Sequence, residues 1–189
     1  LYGGRGQVLP QLPGGGILAS NGHFVLDSNT IVHNRAERGG GIATSDTLPL
    51  PSDDFRTSVT VKNSIVAMNQ ASEAPDLLSN FFDRFGRPVQ STKTWYQSLG
   101  HNLIGVKANG FVNGANHDLV GAADTPLDPI IGALDDYGGS TPTHSLLVGS
   151  PAIDAGDSAE AIDQRGVNRP SDGDEDGVSI LGMWQTATN

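Results

Sequence analysis

The residues in this chain best spaced for chemistry are acidic. Asp172-Gly173-Asp174-Glu175-Asp176-Gly177 sets carboxylates at alternating positions with Gly sixth, the opening half of a calcium loop. Three hard oxygens at that spacing can converge on one cation, and the Gly permits the tight turn. The twelfth position is Met183, where such a loop carries a bidentate Glu, so Asp154, Asp157 or Asp163 would supply the missing ligand. Asp172, Asp174 and Asp176 are the candidate metal ligands and calcium the candidate cofactor. A solvated acidic turn is the competing account.

A second group, Asp154, Asp157, Asp163 and Arg165, falls within twelve residues. It could serve as a carboxylate pair beside a cation, as a lyase or glycosidase uses. Alternatively, Arg165 forks onto a carboxylate and pins an irregular chain end. Trp95 and Tyr96 could stack on a sugar face as a ligand-binding pair, or plug the core. A lyase base would come from Lys62, Lys93 or Lys107, and Lys62 projects outward if Val59 and Val61 point in. The five His residues (23, 33, 101, 117 and 144) form neither HxH nor HExxH, and His101 and His144 beside strand-like runs suit packing. Ser150 in Gly149-Ser150-Pro151 lacks the Gly that follows the Ser of a nucleophile elbow. The Gly clusters at 3–6 and 14–16 precede no helix, so they are not dinucleotide loops.

Composition narrows the class. Gly supplies 25 of 189 residues and charged residues only 17%, which argues against a coiled coil or helical bundle. Asp-heavy charge spread among Val, Ile and Leu runs does not suit disorder. With 11 Lys+Arg against 21 Asp+Glu, a net charge of −10 opposes binding to nucleic acid or an anionic membrane through a basic face. No Cys is present, so disulfides, thiolate zinc and a cysteine nucleophile are excluded. No apolar run approaches the length of a transmembrane segment. Leu1-Tyr2-Gly3-Gly4 carries no Met or signal-like run, and a single domain excerpted from a longer chain is the expectation over 1–189.

The elements that would position these groups recur. Gly14-Gly15-Gly16-Ile17 returns as Gly39-Gly40-Gly41-Ile42, an offset of 25, while Phe24–Asn34 resembles Val59–Asn69 at an offset of 35, with Ile31 opposite Val66. Two units over 14–69 with an insertion at 43–58 account for the difference, and Thr47–Asp54 has the Pro and Asp content of a surface loop. Within each unit, Phe24 and Leu26 or Val59 and Val61 alternate with neighbours in strand fashion. No Asn-Gly turn joins paired runs, so the pattern describes coils that stack rather than hairpins. Asn at a repeated corner tolerates the left-handed region and can bond a stacked Asn. Residues 70–98 form an aromatic elaboration in which Leu78–Phe85 suits a short helix. Residues 99–182 are expected as C-terminal coils, starting with a strand pair in Leu99–Val106 and irregular after Pro126.

These motifs resemble bacterial right-handed parallel β-helix repeat proteins of the cell surface. The GGGI corners, the Asn34 and Asn69 turns and Asn63–Asn69 (NSIVAMN) carry the likeness. So do Gly100–Gly105, Leu127–Leu134, Tyr137–Asp157 and Asp163–Pro170, which resemble the end of surface proteins that carry a sorting anchor, loosely similar to polymorphic outer-membrane adhesins. Such proteins commonly close with Asp-Ile-Gly-Ala-aromatic-Glu; here Ile180-Leu181-Gly182-Met183-Trp184-Gln185 lacks both acids. The resemblance implies an all-β, right-handed parallel β-helix with a decorated flank and irregular C-terminal end, secreted or at the cell surface. The function then expected is a non-catalytic structural or adhesive module that presents a face to glycan or protein, or to other copies of itself. A calcium-dependent polysaccharide lyase or glycosidase of the same fold is the alternative. Because the Asp154–Arg165 stretch belongs to this resemblance regardless of activity, it favours the structural account of that cluster.

Calcium makes the first prediction. If Asp172, Asp174 and Asp176 bind it, the thermal midpoint rises by several degrees in calcium over chelator. An unmoved midpoint makes the loop a solvated turn.

Overall fold

Alternating β-branched residues punctuated by Gly and Asn become short strands in the computed structural model, which describes residues 14–46, 57–81 and 96–169. In chain order the strands are β1 (Ile17–Ser20), β2 (His23–Asp27), β3 (Thr30–Val32), β4 (Ile42–Asp46), β5 (Ser58–Lys62) and β6 (Ile65–Ala67). They continue as β7 (Leu77–Phe81), β8 (Tyr96–Ser98), β9 (Leu103–Ile104), β10 (Leu119–Val120), β11 (Ile131–Asp135) and β12 (Thr143–Leu146). The only helical element among the described residues is a 3-10 turn at Ala115–His117. The protein is all-β, and no described helix is long and apolar enough to cross a membrane.

Three sheets are parallel: β1-β4-β7, β2-β5-β8 and β3-β6-β9-β10. The residues matched in sequence lie opposite one another, Ile17 against Ile42 and Ile31 against Val66. Side chains that point inward from all three sheets share one core: Ala19, Ile42 and Leu77; Val59, Val61 and Tyr96; Ile31, Val66 and Ile104. Phe111 joins them from the loop after β9.

Two expectations are overturned. Leu77–Phe81 is a strand, not the start of a helix over Leu78–Phe85, and residues 82–85 lie outside the described residues. Pairing decides it: β7 continues β4 with Ile42 against Leu77 and Ala43 against Leu78, and that ladder overrides the helical spacing of the apolar residues. Within the 70–98 elaboration, β7 and β8 therefore lie in regular sheets, with β8 beside β5. After Pro126 the chain forms an antiparallel pair, β11 with β12, where irregular coils were expected. Its cause is the outer face of the third sheet, where Val32, Ile65, Ala67, Leu103 and Leu119 are apolar and need cover. Ile131, Leu146, Ala152 and Ile153 pack against them in a second core.

Polar corners hold the sheets in register. Asn69 Oδ1 accepts the Asn34 backbone N–H and its Nδ2, each at 3.0 Å. Asn69 Nδ2 in turn donates to Ile31 O at 2.9 Å, Ala67 O at 3.1 Å and Asp76 Oδ1 at 2.9 Å. Asp76 Oδ2 then accepts the Val106 N–H at 2.7 Å. A parallel row runs through the Asn29 N–H to Ser64 Oγ at 3.1 Å, the Ser64 N–H to Asn102 Oδ1 at 3.1 Å and the Asn102 N–H to Asp118 Oδ1 at 3.0 Å. Gly is required where these rows crowd the backbone. A Cβ on Gly41 would lie 2.8 Å from Asn69 Nδ2, and one on Gly105 would lie 2.6 Å from Asp76 Oδ2.

Asn69→Ala is expected to cost about 3 kcal/mol, because it strands buried partners on Asn34, Ile31 and Asp76. Asn34→Ala, at the end of the row, should cost about 1 kcal/mol. Urea unfolding reads both, and equal losses would contradict the row as described.

Candidate functional site

The C-terminal segment is clamped along one corner of the molecule. At that corner Ser28 and Asn63 occupy equivalent left-handed positions, φ 57° and 48°. Such a turn suits Asn, whose short amide can also reach a neighbouring backbone. Asn63 is fully buried, and its Oδ1 accepts the Asp157 N–H at 2.8 Å while its Nδ2 donates to Asp157 O at 2.8 Å. Ser28 Oγ meets Ser158 Oγ at 3.0 Å, and Arg169 Nη1 donates to Ser158 Oγ at 2.8 Å. His101 Nδ1 lies 2.9 Å from Ala155 O, and its ring stacks on His117 at 4.7 Å. His144 Nδ1 likewise lies 2.8 Å from Gly132 O.

Asp163 and Arg165 are held by each other. Arg165 donates through Nε at 2.8 Å and Nη2 at 2.6 Å to the single oxygen Asp163 Oδ2. Asp163 Oδ1 accepts the N–H groups of Arg165 at 2.8 Å and Val167 at 3.0 Å. The guanidinium closes a local turn, which is the pinning role rather than a carboxylate pair around a substrate. Asp157 enters the corner through its backbone.

Asp163 and Asp76 respond to pH with opposite sign. Burial pushes the Asp163 carboxyl upward, but the Arg165 guanidinium and the Val167 and Arg165 N–H groups outweigh it and hold it below the usual carboxylate range. The unfolded chain then binds this proton more readily. Asp163 stabilises the fold above the ordinary carboxylate pKa, and the contribution is lost as pH falls through the lower folded value. For Asp76, burial raises the carboxyl against the pull of the Asn69 and Val106 donors. Its contribution is full below the ordinary range and is lost as pH rises through the raised value.

Among the described residues a different face stays open. On the sheet β2-β5-β8, Phe24, Leu26, Val59, Val61 and Tyr96 point into the core. The alternate side chains face out in three rows: His23 beside Ser58, Val25 beside Thr60 and Gln97, and Asp27 beside Lys62. His23 Nδ1 meets Ser58 Oγ at 2.5 Å, and Val25 is 72% exposed. Lys62 stands on this outer face, as the alternation requires.

The ligand-binding expectation for Tyr96 needs correction. Its ring is 1% exposed and lies against Phe111, with centroids 6.4 Å apart. The hydroxyl sits between two acceptors, Ile42 O at 3.0 Å and Leu78 O at 3.1 Å. Burial pushes its pKa far above the ordinary phenol value. Tyr96 is thus the core plug that bridges two sheets, since a ring enclosed on all sides has no face left for a sugar. Trp95 and the calcium candidates Asp172, Asp174 and Asp176 lie outside the described residues. Sequence reasoning missed Asn63, although its place before the Ile65–Ala67 run, thirty-five residues after Ser28, marks it as a corner residue. Compared with protein-family models, curated proteins and solved structures, the chain returns no match.

Asp163→Asn is expected to lose about 2 kcal/mol at neutral pH. The gap should narrow once the pH falls below about 4. Thermal melts of both chains across that range test it; a gap of constant size would mean that charge pairing is not its source.

Proposed function

We propose that this chain is a structural or adhesive module built as a right-handed parallel β-solenoid, without catalysis of its own, secreted or exposed at the cell surface. The strand order supports the architecture, since β1, β4 and β7, then β2, β5 and β8, then β3, β6 and β9 pair in parallel and share one interior. Parallel crossovers of this kind are almost always right-handed. The resemblance of the GGGI corners and the Ser150–Pro170 stretch to surface proteins supports the location.

One observation carries the functional reading. The outer face of the third sheet is packed under the β11–β12 pair, whereas among the described residues the outer face of β2-β5-β8 stays open with its side chains in register. Such a surface is rigid before it binds, because each outward side chain sits on a strand hydrogen-bonded to its neighbours. Rigidity lowers the entropy lost on association. The mixture of His23, Asp27, Ser58, Thr60, Lys62 and Gln97 offers donors and acceptors of both charges, which suits glycan hydroxyls or a polar protein surface. Asp163, Arg165, His101 and His144 are meanwhile engaged in holding the C-terminal segment and its hairpin.

The test is retention of the purified chain on immobilised glycans and surface proteins, beside a double variant, Val25→Arg with Thr60→Arg. These positions face out, so the thermal midpoint should stay unchanged while retention falls by about tenfold, the effect of losing roughly 1.4 kcal/mol at the contact. Retention that ignores both substitutions, or no retention at all, defeats the adhesive reading. Release of an unsaturated uronate from an acidic polysaccharide would replace it with the lyase.

A further inference from the structure

The two ends of the parallel sheets differ in how they finish. At the β9–β10 end, Phe111 is buried in the core, Asp118 Oδ1 takes the Asn102 N–H, and the Leu127 N–H reaches Gly105 O at 2.8 Å. At the opposite end, among the described residues, β3 pairs with β6 alone. The Ile65 N–H donates to Asn29 O at 2.8 Å, so in a parallel ladder the alternate residues Thr30 and Val32 turn their N–H groups to the free side. Asn29 and Asn34 end the two polar rows. Among the described residues no donor reaches Asn34 Oδ1, although Asn69 Oδ1, the next in the same row, accepts two. Phe24 and Leu26 at this end are only partly buried.

A cleft of about 380 Å³ runs along this edge. Thr30, Ile31, Val32 and Asn34 form one wall, and Leu134 and His144 of the β11–β12 pair stand in the other. Leu134 is 61% exposed, and the His33 and His144 rings lie 5.6 Å apart.

We propose that this cleft binds an extended strand of another polypeptide, added in parallel to β3 as a further member of the third sheet. The established sheet specifies the occupant. Its central residue is apolar and β-branched, as Ile31, Val66 and Ile104 are at the inward position. The residues on either side are apolar or small, as Ile65 and Ala67 are, and face the hairpin wall. An Asn-type corner follows, whose N–H meets Asn34 Oδ1 just as the Asn34 N–H meets Asn69 Oδ1. Carbonyls of the added strand accept the Thr30 and Val32 N–H groups, and the N–H of its central residue donates to Thr30 O. This is strand addition at an edge, with backbone bonds supplying affinity and alternate side chains supplying selectivity. It uses a different surface from the open face of β2-β5-β8 and stands or falls separately from it.

The probe is a labelled peptide with the sequence of Ser64–Gln70, SIVAMNQ, titrated onto the full chain by fluorescence anisotropy. Saturable binding is expected. Methylating the backbone nitrogen of the peptide's Val, which faces β3, should weaken binding by about tenfold. Methylating that of the Ile before it, which faces away, should not. Leu134→Trp, at an exposed wall position, should weaken binding similarly with an unchanged thermal midpoint. Absence of saturable binding, equal affinity for the two methylated peptides, or indifference to Leu134→Trp would each overturn the proposal.

Discussion

Asn69 ties together backbone that lies far apart in the chain, and the rest of the described fold depends on that tie and its equivalents. The described strands are two to five residues long, too short for any pair to persist alone. What fixes their register is a buried amide at the corner, which accepts from Asn34 and donates to Ile31, Ala67 and Asp76. A buried amide with its partners met specifies one alignment, because a slip by one residue leaves donors and acceptors unpaired and turns Ile31 and Val66 out of the core.

The same logic separates what the sequence discloses from what it hides. Ile17 over Ile42 and Ile31 over Val66 are legible because each corner demands the same residue types, so the demand appears twice in the text. Asn34 and Asn69 are legible for that reason, and so is the fork of Arg165, whose carboxylate is two residues away. The strand at Leu77–Phe81 is not, since its apolar spacing fits a helix and only the ladder waiting on β4 decides otherwise. Tyr96 follows Trp95 as half of an aromatic pair in the sequence, and nothing local tells that its hydroxyl reaches Ile42 and Leu78. The β11–β12 pair is hidden too, because its connection through 136–142 carries no Asn-Gly signal and its purpose lies on another sheet. Asn63 and Asp157 are the extreme case, bonded twice at a separation of 94 residues.

The third sheet shows how one local choice propagates. Ile65 and Leu103 face outward, so the sheet is apolar on both sides and cannot be left in water. The chain after Pro126 is committed to covering it, and the corner at Asn63 and Ser28 anchors the far end of that cover. The Asp163–Arg165 turn holds the segment in shape. Asp157, Asp163 and Arg165, part of what resembles an acid-base cluster in sequence, thus hold the segment that serves a packing requirement on a different sheet, and among the described residues β2-β5-β8 is the sheet whose outer face stays uncovered.

The polar rows also have a direction, and residue chemistry sets it. An amide accepts through oxygen and donates through nitrogen, so Asn can pass the row onward; a carboxylate only accepts, so Asp ends it. Asp76 stands where one row stops, with Oδ1 on Asn69 and Oδ2 on the Val106 N–H, and Asp118 stands where the other stops. At the opposite end both rows start from Asn, at positions 29 and 34, whose backbone N–H groups donate into them. Among the described residues, the rows therefore run from an amide at one end to a carboxylate at the other, and the carboxylate end has its acceptors met. The asymmetry between Asp and Asn at the two ends gives each described row a direction, from an amide that can pass a hydrogen bond onward to a carboxylate that only accepts.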